Sequence, residues 1–197
     1  MSSYPVQDAG LAGLERLVLI PPNFTPDENG VVLVCSFRKE MPELEELTRE
    51  LICSWKHSGL KRRVILLSRR AECFQFNGPH HPLRMLKQIS GSKKGAGKKY
   101  LAVLYLLSSS EELWERSRPA FHSGTIDFSA VKLGGIRVQE YTLYRAAKGI
   151  WNGKLGVGAD DLADRELISD HTLLLILNAA LIASFGPQVM ECGGADS

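Results

Sequence analysis

Apolar positions along the chain recur with two different periods, and the change of period divides it. Between residues 11 and 37, short apolar runs alternate with turn residues: Leu17-Val18-Leu19-Ile20, then Pro21 to Gly30, then Val31-Val32-Leu33-Val34-Cys35-Ser36-Phe37. β-Branched runs bounded by Pro and Asn-Gly predict two strands joined by a long loop. A helical period follows. Pro42 suits a first turn, and Glu43, Glu45 and Glu46 lie where the positive end of a helix dipole favours anions. Leu44, Leu47, Leu51 and Trp55 share one face, so a helix is predicted over 41–58, with Gly59 as its stop. Arg63-Val64-Ile65-Leu66-Leu67-Ser68 then reads as a buried strand, which gives residues 31–68 the order of a strand–helix–strand crossover. Phe74 and Phe76 alternate with Cys73, Gln75 and Asn77, as in a further short strand before Gly78-Pro79.

The second half reads as helical. Leu83, Leu86 and Ile89 mark a helix from Pro82, and residues 90–99, with three glycines and four lysines, predict a mobile, exposed loop. Tyr100 to Leu107 is apolar almost throughout, and its Leu, Ala and Tyr content predicts a buried helix rather than a strand. Ser109 with Glu112 matches a capping box for a short helix that Pro119 ends. Residues 121–136 read as loop. Val138, Tyr141, Tyr144 or Arg145, Lys148 and Trp151 then follow helical spacing as far as Asn152-Gly153. Asp160, Asp161 and Asp164 open another turn or two, and Ser169 caps a final helix, apolar nearly all round from Leu173 to Phe185, that Gly186-Pro187 terminates. The fold class is therefore α+β: a small N-terminal sheet with a crossover helix, then a mainly helical C-terminal half. The organisation predicted is an N-terminal α/β subdomain over 1–90, a basic flexible loop over 91–99, a helical subdomain over 100–187 and a disordered tail over 188–197.

Composition narrows the class without naming it. With 44% apolar and 23% charged residues in a chain of 197, neither wholesale disorder nor a coiled coil fits. The apolar run 173–183, interrupted by Asn178, falls short of the roughly 20 residues that cross a bilayer. The first residues carry neither a basic start nor an apolar run of signal-peptide length, so a cytoplasmic protein is expected. Cys35, Cys53, Cys73 and Cys192 form no C-x-x-C pair and read as free thiols in a reducing compartment, with Cys35 in an apolar run and Cys53 beside Ile52 and Trp55 as small buried hydrophobes.

Charge changes the picture most. Residues 56–99 hold twelve basic side chains against the single acid Glu72, net +11, and the rest of the chain is net −9, which leaves the total at +2. Such a block reads as an anion-binding face, with Phe74, Phe76 and Tyr100 available to stack on unpaired bases. Lys61, Arg62, Arg63, Arg69, Arg70, Lys93, Lys94, Lys98 and Lys99 are the candidate anion-binding residues. The opposing reading is internal neutralisation of the block by the acidic flanks of the same fold.

Other motifs carry less. Gly91-Ser92-Lys93-Lys94-Gly95-Ala96-Gly97-Lys98-Lys99 resembles a phosphate loop, but its outer glycines stand one residue too far apart, Lys99 replaces the magnesium-holding hydroxyl and a helix precedes it. Cys73, His80, His81 and His57 lack the paired spacing of a zinc site. Ser169-Asp170-His171 is better read as a helix cap than as a triad, and Asp160, Asp161, Asp164 and Glu166 suit a first helical turn. No catalytic, metal or cofactor residue is assigned.

The segment Ala102-Val103-Leu104-Tyr105-Leu106-Leu107, together with Trp151-Asn152-Gly153 and the apolar final helix, resembles small uncharacterised proteins carried by prophages and conjugative elements of gut Firmicutes. That resemblance covers the C-terminal half and implies an accessory role in a mobile element. The functional expectation is a non-enzymatic protein that presents residues 56–99 to an anionic partner, nucleic acid or an acidic protein, and contacts no membrane. The alternatives are an interaction or inhibitor module acting on a host complex, and an enzyme whose site lies at the His80-His81 turn or the acid cluster.

Overall fold

The computed structural model describes residues 42–90, 96–122, 124–154 and 156–191. The strands predicted within 11–37, Lys93, Lys94 and the tail from 192 lie outside the described residues. Eight α-helices are described: α1 (Leu44–Ile52), α2 (Ser58–Ala71), α3 (His80–Ser90), α4 (Lys98–Leu107), α5 (Glu111–Ser117), α6 (Val138–Trp151), α7 (Ala159–Ala163) and α8 (Asp170–Phe185). The sheet among them is one short antiparallel pair, β1 (Phe121–His122) and β2 (Thr125–Ile126), with Phe121 opposite Ile126.

Helix α4 is the axis of the core. Every residue from Tyr100 to Leu107 is buried, as expected of a helix apolar on all sides. Helices α6 and α8 flank it and run in the opposite direction. Lys98, at the start of α4, bonds Ser184 near the end of α8, and Tyr105, one turn from the other end of α4, meets Asn178 halfway along it. Ser169 caps α8 by accepting the Thr172 N–H, as the sequence predicts. The cap of α5 is Ser110 rather than Ser109, whose hydroxyl turns back to Leu106 O. Glycine lets the loop after α6 fold back onto the helix: a Cβ on Gly156 would lie 1.9 Å from Arg145 O.

Residues 63–68, predicted as a strand, are the middle of α2. Four successive apolar residues fit either period. The wider window decides, because Leu60, Val64, Leu67 and Ala71 form one buried helical stripe and Arg62, Leu66, Arg69 and Arg70 lie outside it. The predicted helix over 41–58 is correspondingly shorter, with turn and coil from Cys53 to His57. Helix α1 stops at Ile52, and His57 starts α2 by accepting the Leu60 N–H on Nδ1. Residues 73–77 form no strand, since side chains take their backbone groups: Gln75 O accepts from the Tyr105 hydroxyl and from Asn178 Nδ2, and the Asn77 N–H donates to His81 Nδ1. Among the described residues, the one strand pair, Phe121–His122 with Thr125–Ile126, falls in a stretch read as loop. Residues on both sides of 91–99, from Leu44 to Val189, belong to one hydrophobic cluster.

Candidate anion-binding surface

Of the nine basic residues singled out from the sequence, Arg63 departs furthest from its expected role. It is 4% exposed, on the inner side of α2. Its Nε and Nη2 donate to Asp170 Oδ1 at 3.1 and 2.8 Å, Nη1 donates to Leu162 O and Asp164 O at 2.7 and 3.1 Å, and Nη2 also reaches Ile168 O. All five guanidinium donors are satisfied. Arg63 therefore clamps α2 to the segment leading into α8, and offers nothing to an outside anion.

Three others are committed within the fold. Lys61 Nζ donates to Cys53 O at 2.8 Å, closing the end of α1. Lys98 Nζ donates to Ser184 O at 2.7 Å, at the negative end of α8. Arg69 pairs with Glu45, which also takes Arg49; the Arg69 bond, with that of Arg49 second, holds the Glu45 carboxyl below the usual range. Beyond the nine, Arg84 Nε donates to Ser108 O at 2.7 Å and finishes α4 in the same manner.

Arg62 and Arg70 remain, exposed on the outer side of α2 beside the 38%-exposed Leu66, with Lys99 exposed at the start of α4. Arg62 and Lys99 do not form one site. Arg63 places the first turns of α2 against the start of α8, and Lys98 places Lys99 beside its end, about 24 Å away for a helix of 16 residues.

The remaining motifs resolve into structure. His57 Nε2 meets exposed Asp160 at 2.9 Å, and with Nδ1 accepting the Leu60 N–H it is Nε2 that carries the proton. His81 is fully buried in a cluster with Phe76 and Tyr105, accepting from the Asn77 N–H and donating from Nε2 to Tyr105 O at 2.7 Å. Burial lowers its pKa to about 4, against the opposing pull of the Tyr105 carbonyl. Cys73, His57, His80 and His81 therefore do not converge, and no group of three metal-ligating side chains is found among the described residues. Asp164 accepts the Glu166 N–H in a turn, and Asp170 serves Arg63. Cys53 is exposed rather than the buried thiol expected, and Cys73 is half-buried.

A cleft of about 400 Å³ opens between the start of α1 and the end of α2, lined by Pro42, Glu43, Leu44, Glu45, Ser68, Arg69 and Glu72. Glu72 occupies a strained γ-turn at φ 56° and ψ −40°, with the Cys73 N–H 2.5 Å from Ala71 O. Three carboxylates against one paired guanidinium make this cleft hostile to anions. On the outer side of α6, Val138, Tyr141, Arg145 and Lys148 are all exposed. Their helical spacing is visible in the sequence, but spacing alone does not say which way the face points. Comparison of the chain with family models, with curated proteins and with solved structures returns no match.

Proposed function

We propose that the chain is a non-enzymatic binding protein that presents the outer face of α2 to an anionic partner, nucleic acid or a nucleoprotein complex. The observation that carries this reading is the contrast within one helix. Arg63 and Arg69 are in ion pairs, whereas the exposed Arg62 and Arg70 have no acidic partner among the described residues. Eight residues of helix separate those two, about 12 Å, the axial span of three to four nucleotides of a strand. A rigid helix holding two bare guanidinium groups at that spacing suits contacts to phosphates. His57, His81, Asp164 and Asp170 serve as caps and clamps rather than meeting around a reacting centre, which favours binding over catalysis. An accessory role for such a protein in the cytoplasm of a cell carrying a mobile element accords with the resemblance of its C-terminal half.

Fluorescence anisotropy with a labelled DNA strand and its duplex tests this. Between about 50 and 200 mM salt the affinity should fall steeply, and Arg62→Ala with Arg70→Ala should reduce the duplex slope by about 1.8, at 0.9 per phosphate contact. Absence of binding at the lowest salt, or an unchanged slope in the double variant, removes the reading.

A further inference from the structure

The outer face of α6 is half apolar and half cationic. Leu143, Tyr144, Ala146 and Ala147 fill the inner side, while Val138, Tyr141, Arg145 and Lys148 follow one another at spacings of three, four and three residues along the outer side. Val138 is 60% and Tyr141 42% exposed. A third large apolar side chain is held next to the same turn: the Gln139 amide donates to Leu167 O at 3.1 Å, and Leu167 is 43% exposed. Three of the five exposed large hydrophobic residues among those described therefore gather at the start of α6.

The two charges along this strip, Arg145 and Lys148, have no carboxylate partner among the described residues, and Arg145 is held in place. The Arg145 guanidinium lies 6.0 Å from the centre of the Tyr141 ring, and its Nε donates to Gly156 O at 3.0 Å. The neighbouring charges are balanced: Arg137 lies 3.4 Å from Glu112 and 3.0 Å from Glu140, and Arg165 is followed by Glu166 beside Leu167.

We infer that this strip docks a segment of a partner protein that combines an apolar anchor with carboxylates. Val138 and Leu167 offer a nucleic acid neither charge nor a stacking face, so the apolar end calls for a protein partner. The two bare cations select an acidic one. From Tyr141 to Lys148 the helix rises about 10 Å, so the anchor and the carboxylate that meets Lys148 stand about three residues apart in an extended segment or seven in a helical one. The surface is on α6 and the proposed phosphate contacts are on α2, so either can fail without the other.

Panning a display library of random peptides against the immobilised full chain tests the inference. Enriched peptides should pair an apolar residue with Asp or Glu at one of those spacings. They should bind Val138→Asp/Tyr141→Ala about tenfold or more weakly, and Arg145→Ala/Lys148→Ala about tenfold more weakly. All four side chains are exposed, so the thermal midpoint should not move. If it does, amide shift mapping of the peptide on the unmodified chain decides, and must centre on 138–148 and 167. Failure to enrich, enrichment of basic peptides, equal binding to the variants or shifts centred elsewhere would overturn the inference. So would concentration-dependent dimerisation that Val138→Asp abolishes, which would assign the strip to a second copy of the chain.

Discussion

Helices α2 and α6 are each 14 residues long, and they invert each other's expectations. Helix α2 carries five cationic side chains, yet it buries Arg63 among the carbonyls and carboxylate that begin α8. Helix α6 carries the large apolar side chains Val138 and Tyr141 one turn apart, yet it turns them to solvent and buries the small residues Ala146, Ala147 and Gly149 against its neighbours. Side-chain hydrophobicity sets which residues can share a face. Which face goes inward is set by how closely the neighbouring helices must approach and by where stray carbonyls need donors.

The widest separation should come from adjacent residues of α2. Replacing Arg63 by Ala leaves Asp170 and three backbone carbonyls without their donor, and should lower stability by about 3–5 kcal/mol, read as a shift in urea midpoint. Arg62→Ala should stay within about 0.5 kcal/mol. An equally sharp contrast is expected on α6: Leu143→Ala removes a buried side chain and should cost about 2–5 kcal/mol, whereas Tyr141→Ser should be nearly silent in the same unfolding experiment.

Acid should weaken the packing of α3 on α4. His81 is held neutral in the folded protein with a pKa of about 4, below the 6.5 of an exposed imidazole. The unfolded chain therefore binds the extra proton first, and stability is full above pH 6.5 and falls as pH drops from 6.5 to 4, by about 3 kcal/mol in all. Urea midpoints compared across that window should show this loss, and His81→Asn should flatten the added pH dependence. The variant retaining the full slope would show that another group is responsible.

How much of this was legible in the sequence depends on the range over which each feature acts. Local features were readable: the buried run from Tyr100 to Leu107, the Ser169 cap and the termination of α8 at Gly186 each depend on a few neighbouring residues. The middle of α2 was misread because Val64 to Leu67 is too short a window to tell a strand from a helix, and the decisive Leu60 and Ala71 lie at its edges. The role of Arg63 was not readable, because its acceptors stand 99 to 107 residues away. The same holds for the orientation of α6, where the loop at Gly156 and the register against α4 decide which face is covered.

Arg62 and Arg63, measured side by side for both stability and salt-dependent DNA binding, probe the central division of the basic stretch into clamps and contacts. Arg62→Ala should keep the urea midpoint and reduce the salt slope for duplex by about 0.9, whereas Arg63→Ala should lower stability by about 3–5 kcal/mol, read as a lower urea midpoint, and leave the slope of the folded protein unchanged. The reverse pattern, an intact fold with altered slope for Arg63→Ala and an unaltered slope for Arg62→Ala, would contradict it.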